Sequence, residues 1–167
     1  MMPTGKEVIK TALIYVRTKP YGSPNKFSRW YGFGNQAMAW CGIFVYYVLT
    51  KCGGKQLLAG CKNKAYIPTI YNWAKKCGYL TEHPKEGDLV FFDWDKDNTC
   101  DHIGFFIEKI DSTYVRTVEG NTSNASNGNG GCVQKRIRDK AYIKAYAHLP
   151  YAEEKSATKK AATATKK

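Results

Sequence analysis

An α+β fold, with helices packed against an antiparallel sheet, is predicted by three features of the chain. Apolar residues recur at helical spacing through the first half, and short runs rich in β-branched and aromatic residues, separated by Gly, Asn and Asp clusters, follow from Asp88. Helices first and strands later is the order of an α+β domain rather than of alternating βαβ units. A length of 167 residues with 43% hydrophobic and 14% aromatic content is sufficient for one proper core.

The elements follow from local signals. Thr4 and Glu7 form a capping box, and Val8, Ile9, Ala12, Leu13 and Val16 follow at helical spacing, which predicts a helix from Gly5 to Thr18. Pro20, Gly22 and Pro24 end it. Tyr21 to Met38 has no sustained period and many turn formers, so it reads as a long loop. Ala39 to Leu49, A-W-C-G-I-F-V-Y-Y-V-L, reads as a second helix that stops at Gly53 and Gly54. Pro68 and Gly78 bracket a third, carrying Ile70, Trp73 and Ala74. Strands are expected at Asp88–Asp93, His102–Ile110, Tyr114–Glu119, Val133–Arg138 and Ala145–Leu149.

After Pro150 the composition collapses to Ala, Lys, Thr and Glu, which cannot bury enough apolar surface to stay ordered. The expected organisation is a domain over residues 1–151 and a disordered linker or tail over 152–167. The net charge is +12, of which the segment from Glu153 onward supplies +3, so the domain itself is basic. Such a domain concentrates near polyanions: nucleic acid, an anionic membrane or a wall bearing anionic polymers. The longest apolar stretch, Ala37 to Leu49, falls short of a membrane span, and the N-terminus shows no signal-peptide core. A soluble chain without an export signal is therefore expected.

The six cysteines include no C-x-x-C pair, which argues against a zinc knuckle or a thioredoxin-type motif, and most read as ordinary reduced thiols. Cys41 differs because it stands where a helix opens. Unpaired backbone N–H groups and the positive end of the macrodipole favour a thiolate there. His102 opens an apolar strand directly after an acidic loop, at the mouth of the expected sheet. A hairpin turning near Asp111 and Ser112 brings Glu119 back beside the start of that strand, so Glu119 or Asn121 can orient the imidazole. Thiolate, imidazole and an orienting group make up the cysteine variant of the catalytic triad. A lone cysteine at such a position is more often a small buried residue than a nucleophile.

Four blocks in order, Ala39-Trp40-Cys41-Gly42-Ile43-Phe44-Val45, Pro84-Lys85-Glu86-Gly87-Asp88-Leu89-Val90-Phe91-Phe92, Asp101-His102-Ile103-Gly104 and Val118-Glu119-Gly120-Asn121, resemble the CHAP family of cysteine, histidine-dependent amidohydrolases and peptidases. The resemblance spans roughly residues 5 to 150. It implies a papain-like (NlpC/P60-like) fold, with Cys41 as nucleophile, His102 as base, Glu119 as orienting residue and Asn121 as an accessory polar group. It also implies hydrolysis of peptidoglycan amide bonds, as in phage endolysins and bacterial autolysins. The expected partner is the peptidoglycan of a Gram-positive host, attacked by a monomer tethered through its tail to a wall-binding domain. Such an enzyme is made in the host cytoplasm and acts on the wall after release.

The oxyanion is expected to be held by the Cys41 backbone N–H and by an upstream amide, Asn35 or Gln36, which read equally as solvated loop residues. Trp40 and Trp94 are candidates for the groove because they adjoin the site. No metal is needed for the chemistry. Asp93, Asp95, Asp97 and Asp101 occupy positions one, three, five and nine of a calcium-type loop, although Asn98 stands where its glycine belongs and Gly104 where its bidentate glutamate belongs. A polar hairpin loop is the commoner explanation. Relatives with known calcium sites carry an acidic cluster just before the nucleophile, which Tyr31 to Trp40 lacks. His83 and His148 read as surface or packing histidines. The rival reading is a binding module that holds wall polymer or nucleic acid without turnover; the basic residues are scattered and no RRM-type strand signature appears.

Overall fold

The computed structural model describes residues 1–16, 21–123 and 130–154. Its helices are α1 (Gly5–Leu13), α2 (Lys26–Tyr31), α3 (Cys41–Lys51) and α4 (Ile67–Lys76), with 3-10 turns at Lys55–Leu58 and Lys140–Tyr142. The strands are β1 (Leu80–Thr81), β2 (Leu89–Phe92), β3 (His102–Lys109), β4 (Tyr114–Thr122), β5 (Cys132–Asp139) and β6 (Ile143–Ala147). They form one antiparallel sheet in the order β1-β6-β2-β3-β4-β5. The α+β class expected from the sequence is the one observed.

The capping box at α1 forms as read: Thr4 N donates to Glu7 Oε2 at 2.8 Å and Glu7 N to Thr4 Oγ1 at 3.3 Å. The helix stops at Leu13 rather than Thr18, and residues 17–20 lie outside the described part. The segment read as one long loop contains α2, a two-turn helix too short to show a period. Asn25 caps it by accepting from the Phe27 and Ser28 amides, and Gly32 ends it at φ 107°. The short β1 was not expected either; its register with β6 supplies the partners.

α3 is apolar on nearly every side and runs through the centre of the fold. Ile43, Phe44, Val48 and Leu49 are fully buried, each worth about 1.5–3 kcal/mol relative to exposure. They meet Leu89, Phe91, Ile103, Phe105 and Val118 from one face of the sheet. The opposite face carries Val90, Phe92, Phe106 and Val115 in a second apolar cluster. β2 therefore buries both sides, which explains its unbroken Leu-Val-Phe-Phe run. Gly120 in β4 sets the distance between the layers. A Cβ there would lie 2.5 Å from Phe44 Cβ, so only glycine lets α3 rest directly on the strand that carries Glu119.

Most of the segment from 152 onward and the centre of the Asn121–Gly131 loop lie outside the described residues, among them the expected tail. Among the described residues no helix is long and apolar enough to cross a membrane. All six cysteines are free.

Candidate active site

Cys41 is the first residue of α3 and is 2% exposed. His102 is the first residue of β3, paired with Phe92 of β2, and so shares a sheet face with the second apolar cluster. The β3–β4 hairpin pairs Phe105 with Val118, which returns Glu119 to the His102 end as the turn position required. His102 Nε2 lies 2.8 Å from Glu119 Oε2, and the Cys41 side chain lies close enough to act on the same imidazole. All three side chains are closed to bulk water.

Burial by itself pulls the His102 pKa down. The charge and hydrogen bond of Cys41, and then those of Glu119, outweigh it and push the pKa up to about 9. Burial likewise raises that of Glu119, but the Arg138 fork and His102 overcome this and hold the carboxyl well below the usual range. The site is thus built to keep an imidazolium against a permanent carboxylate, with the Cys41 side chain beside it.

Asn121 is 4% exposed and sits at φ 53°, in the irregularity between Glu119 and Thr122 where β4 slips against β5. Such a bulge re-aims side chains next to a site, and asparagine is among the few residues that tolerate this conformation.

A family model for the CHAP domain matches residues 30–121, more than half of the chain. The chain belongs to the CHAP domain family. The match covers Cys41, His102, Glu119 and Asn121 together, and the antiparallel sheet with its helices is the papain-like arrangement of such domains. CHAP domains are in general cysteine, histidine-dependent amidohydrolases or peptidases acting on peptidoglycan. No curated protein matches the chain.

The remaining residues singled out from the CHAP sequence differ in placement. Trp40 does not line a groove: it is fully buried, stacked on Phe27 at 5.2 Å and 18°, because the residue before α3 faces the aromatic core. Asn35 and Gln36 are exposed in the turn after α2, where Asn35 Oδ1 accepts from Arg29 Nε at 3.3 Å. Trp94 does reach the site. Its ring lies 5.8 Å from that of His102 and stacks on Phe92 at 4.7 Å. His148 packs through Nδ1, 2.6 Å from Asp88 Oδ1.

Of the four acidic loop residues, Asp93, Asp95 and Asp101 bring carboxylate oxygens within 4.8 Å of one another, and Asp97 is not part of that group. The loop is tied to its own backbone: Asp101 Oδ2 accepts from Trp94 N at 2.6 Å and Asp93 Oδ2 from Asn98 N at 2.9 Å. Asp93 Oδ1 is buried with no hydrogen-bond partner.

Sequence reasoning missed Arg138 and Thr117. Both contact Glu119, yet each sits in a strand whose residues read as ordinary alternation, so no local signal marks them.

Proposed function

We propose that this chain cleaves an amide bond of peptidoglycan through a Cys41 thiolate. The observation that carries the reading is the buried His102–Glu119 contact of 2.8 Å, with the Cys41 side chain acting on the same imidazole. The sulfur attacks the amide carbonyl, and His102 gives its proton to the departing amine as the C–N bond breaks. Water, deprotonated by His102, then opens the thioester, releasing the new carboxylate and restoring the thiol. The Cys41 backbone N–H at the start of α3 faces the developing oxyanion. Thiolate and imidazolium supply nucleophile and proton, so a cation on the Asp93–Asp101 loop would serve structure rather than chemistry.

The enzyme we infer is a phage endolysin of a Gram-positive host. Its basic domain is drawn to anionic wall polymers, and the Lys-Ala-Thr segment tethers a wall-binding domain. Its target is the N-acetylmuramoyl-L-alanine bond or a bond of the stem peptide or crossbridge. Turbidity loss of purified Gram-positive walls, with wild type and Cys41→Ala side by side, tests the reading, and fragment masses name the bond. Clearing by wild type alone is expected. Walls of several chemotypes resisting both proteins would favour the binding-module alternative.

A further inference from the structure

We propose that Arg138 is a positioning residue for the catalytic histidine, its guanidinium fork fixing both oxygens of Glu119 so that Oε2 stays on His102 Nε2. The inference rests on the hydrolase reading, and Arg138 lies in β5, outside the residues that match the family model.

Arg138 Nε donates to Glu119 Oε1 at 2.8 Å, and its Nη2 donates to Oε2 at 2.5 Å and to Thr122 Oγ1 at 3.2 Å. Thr117 Oγ1 adds a donor to Oε1 at 2.5 Å. Glu119 is fully buried and Arg138 is 3% exposed, so neither group has water as an alternative partner. A carboxylate with a single partner can rotate about its last torsion and drop it. Here any rotation that breaks the His102 bond must also break two parallel N–H···O bonds.

The guanidinium is itself clamped. Its centre lies 4.8 Å from the Trp94 ring and 5.4 Å from that of Phe92, and both of these rings also approach the imidazole. One cation therefore holds the orienting carboxylate and the aromatic wall of the histidine together. Neutralising a buried carboxylate would need only a positive charge, whereas a two-point fork also sets its plane.

The test compares wild type, Arg138→Lys and Arg138→Met in two assays at one pH. One is alkylation of Cys41 by iodoacetamide, mapped by mass so that exposed Cys77 is counted apart. The other is turnover of purified Gram-positive peptidoglycan. Arg138→Lys keeps the charge and most of the volume, so it serves as the folded variant should Arg138→Met unfold. In Arg138→Lys, kcat is expected to fall about tenfold with KM within about twofold, and Cys41 alkylation to slow in parallel; a folded Arg138→Met loses more. Wild-type kcat and alkylation in Arg138→Lys would overturn the proposal, as would a rise in KM alone. Slowed alkylation in the variant without wall cleavage by wild type supports the positioning role and removes the wall substrate. Cleavage by wild type with equal rates in Arg138→Lys removes the positioning role and leaves the hydrolase.

Discussion

Gly104 leaves the space that the Glu119 side chain occupies: a Cβ built on it would lie 2.6 Å from Glu119 Cγ and 3.1 Å from the Val118 carbonyl oxygen. The two residues stand on adjacent strands, so the glycine two positions after His102 belongs to the geometry of the dyad.

Gly104→Ala should therefore cost both stability and rate. The Glu119 chain cannot yield at Cγ while its carboxylate is held by Arg138, Thr117 and His102. A loss of about 1–3 kcal/mol is expected from overpacking, read by urea unfolding, together with a fall in kcat of about tenfold or more. Unchanged kcat would mean that the carboxylate tolerates displacement.

Glu119→Gln keeps the shape but removes the charge that faces two cationic partners. Arg138 then stays buried without its counterion, and an amide N–H points at either the guanidinium or the imidazole. Destabilisation of about 3–5 kcal/mol is expected. Wall clearing should fall by at least about 100-fold, since the imidazolium loses both orientation and support. Denaturant midpoints and clearing rates measured on the same preparation check both.

The pH dependence follows from the direction of the His102 shift. Its folded pKa, about 9, lies above the ordinary 6.5, so the imidazolium favours the folded state. That contribution is fully present below about pH 6.5 and is lost as pH rises through about 9. Hydrolysis should fall on the same alkaline limb as the imidazolium deprotonates. A rate profile with its alkaline midpoint near 6.5 would contradict the buried ion-pair geometry.

Calcium at the Asp93, Asp95 and Asp101 carboxylates would satisfy the buried, unpartnered Asp93 Oδ1. The loop read as a calcium site predicts a calcium-dependent rise in Tm that Asp95→Asn reduces, with clearing retained in chelator under the proposed metal-free thiolate mechanism. A Tm unmoved by calcium would remove the cation from this loop.

The sequence by itself determined the parts whose causes are local. The Thr4–Glu7 capping box, the helix that opens at Cys41, the strand that begins at His102 and the hairpin that returns Glu119 to it all depend on a few neighbouring residues. Together they set the start of a helix at Cys41 and brought Glu119 back to the His102 end of the hairpin. The short α2 escaped because two turns held by an Asn25 cap show no periodicity. What only the tertiary structure decided is where long-range neighbours meet. Trp40, adjacent to Cys41 in sequence, turns into the aromatic core, while Arg138, nearly a hundred residues from Cys41, reaches the Glu119 carboxylate. Adjacency along the chain fixes backbone direction but not the partner a side chain finds. For a buried charge that partner is chosen by the need to neutralise and hydrogen-bond it, which only the assembled sheet can supply.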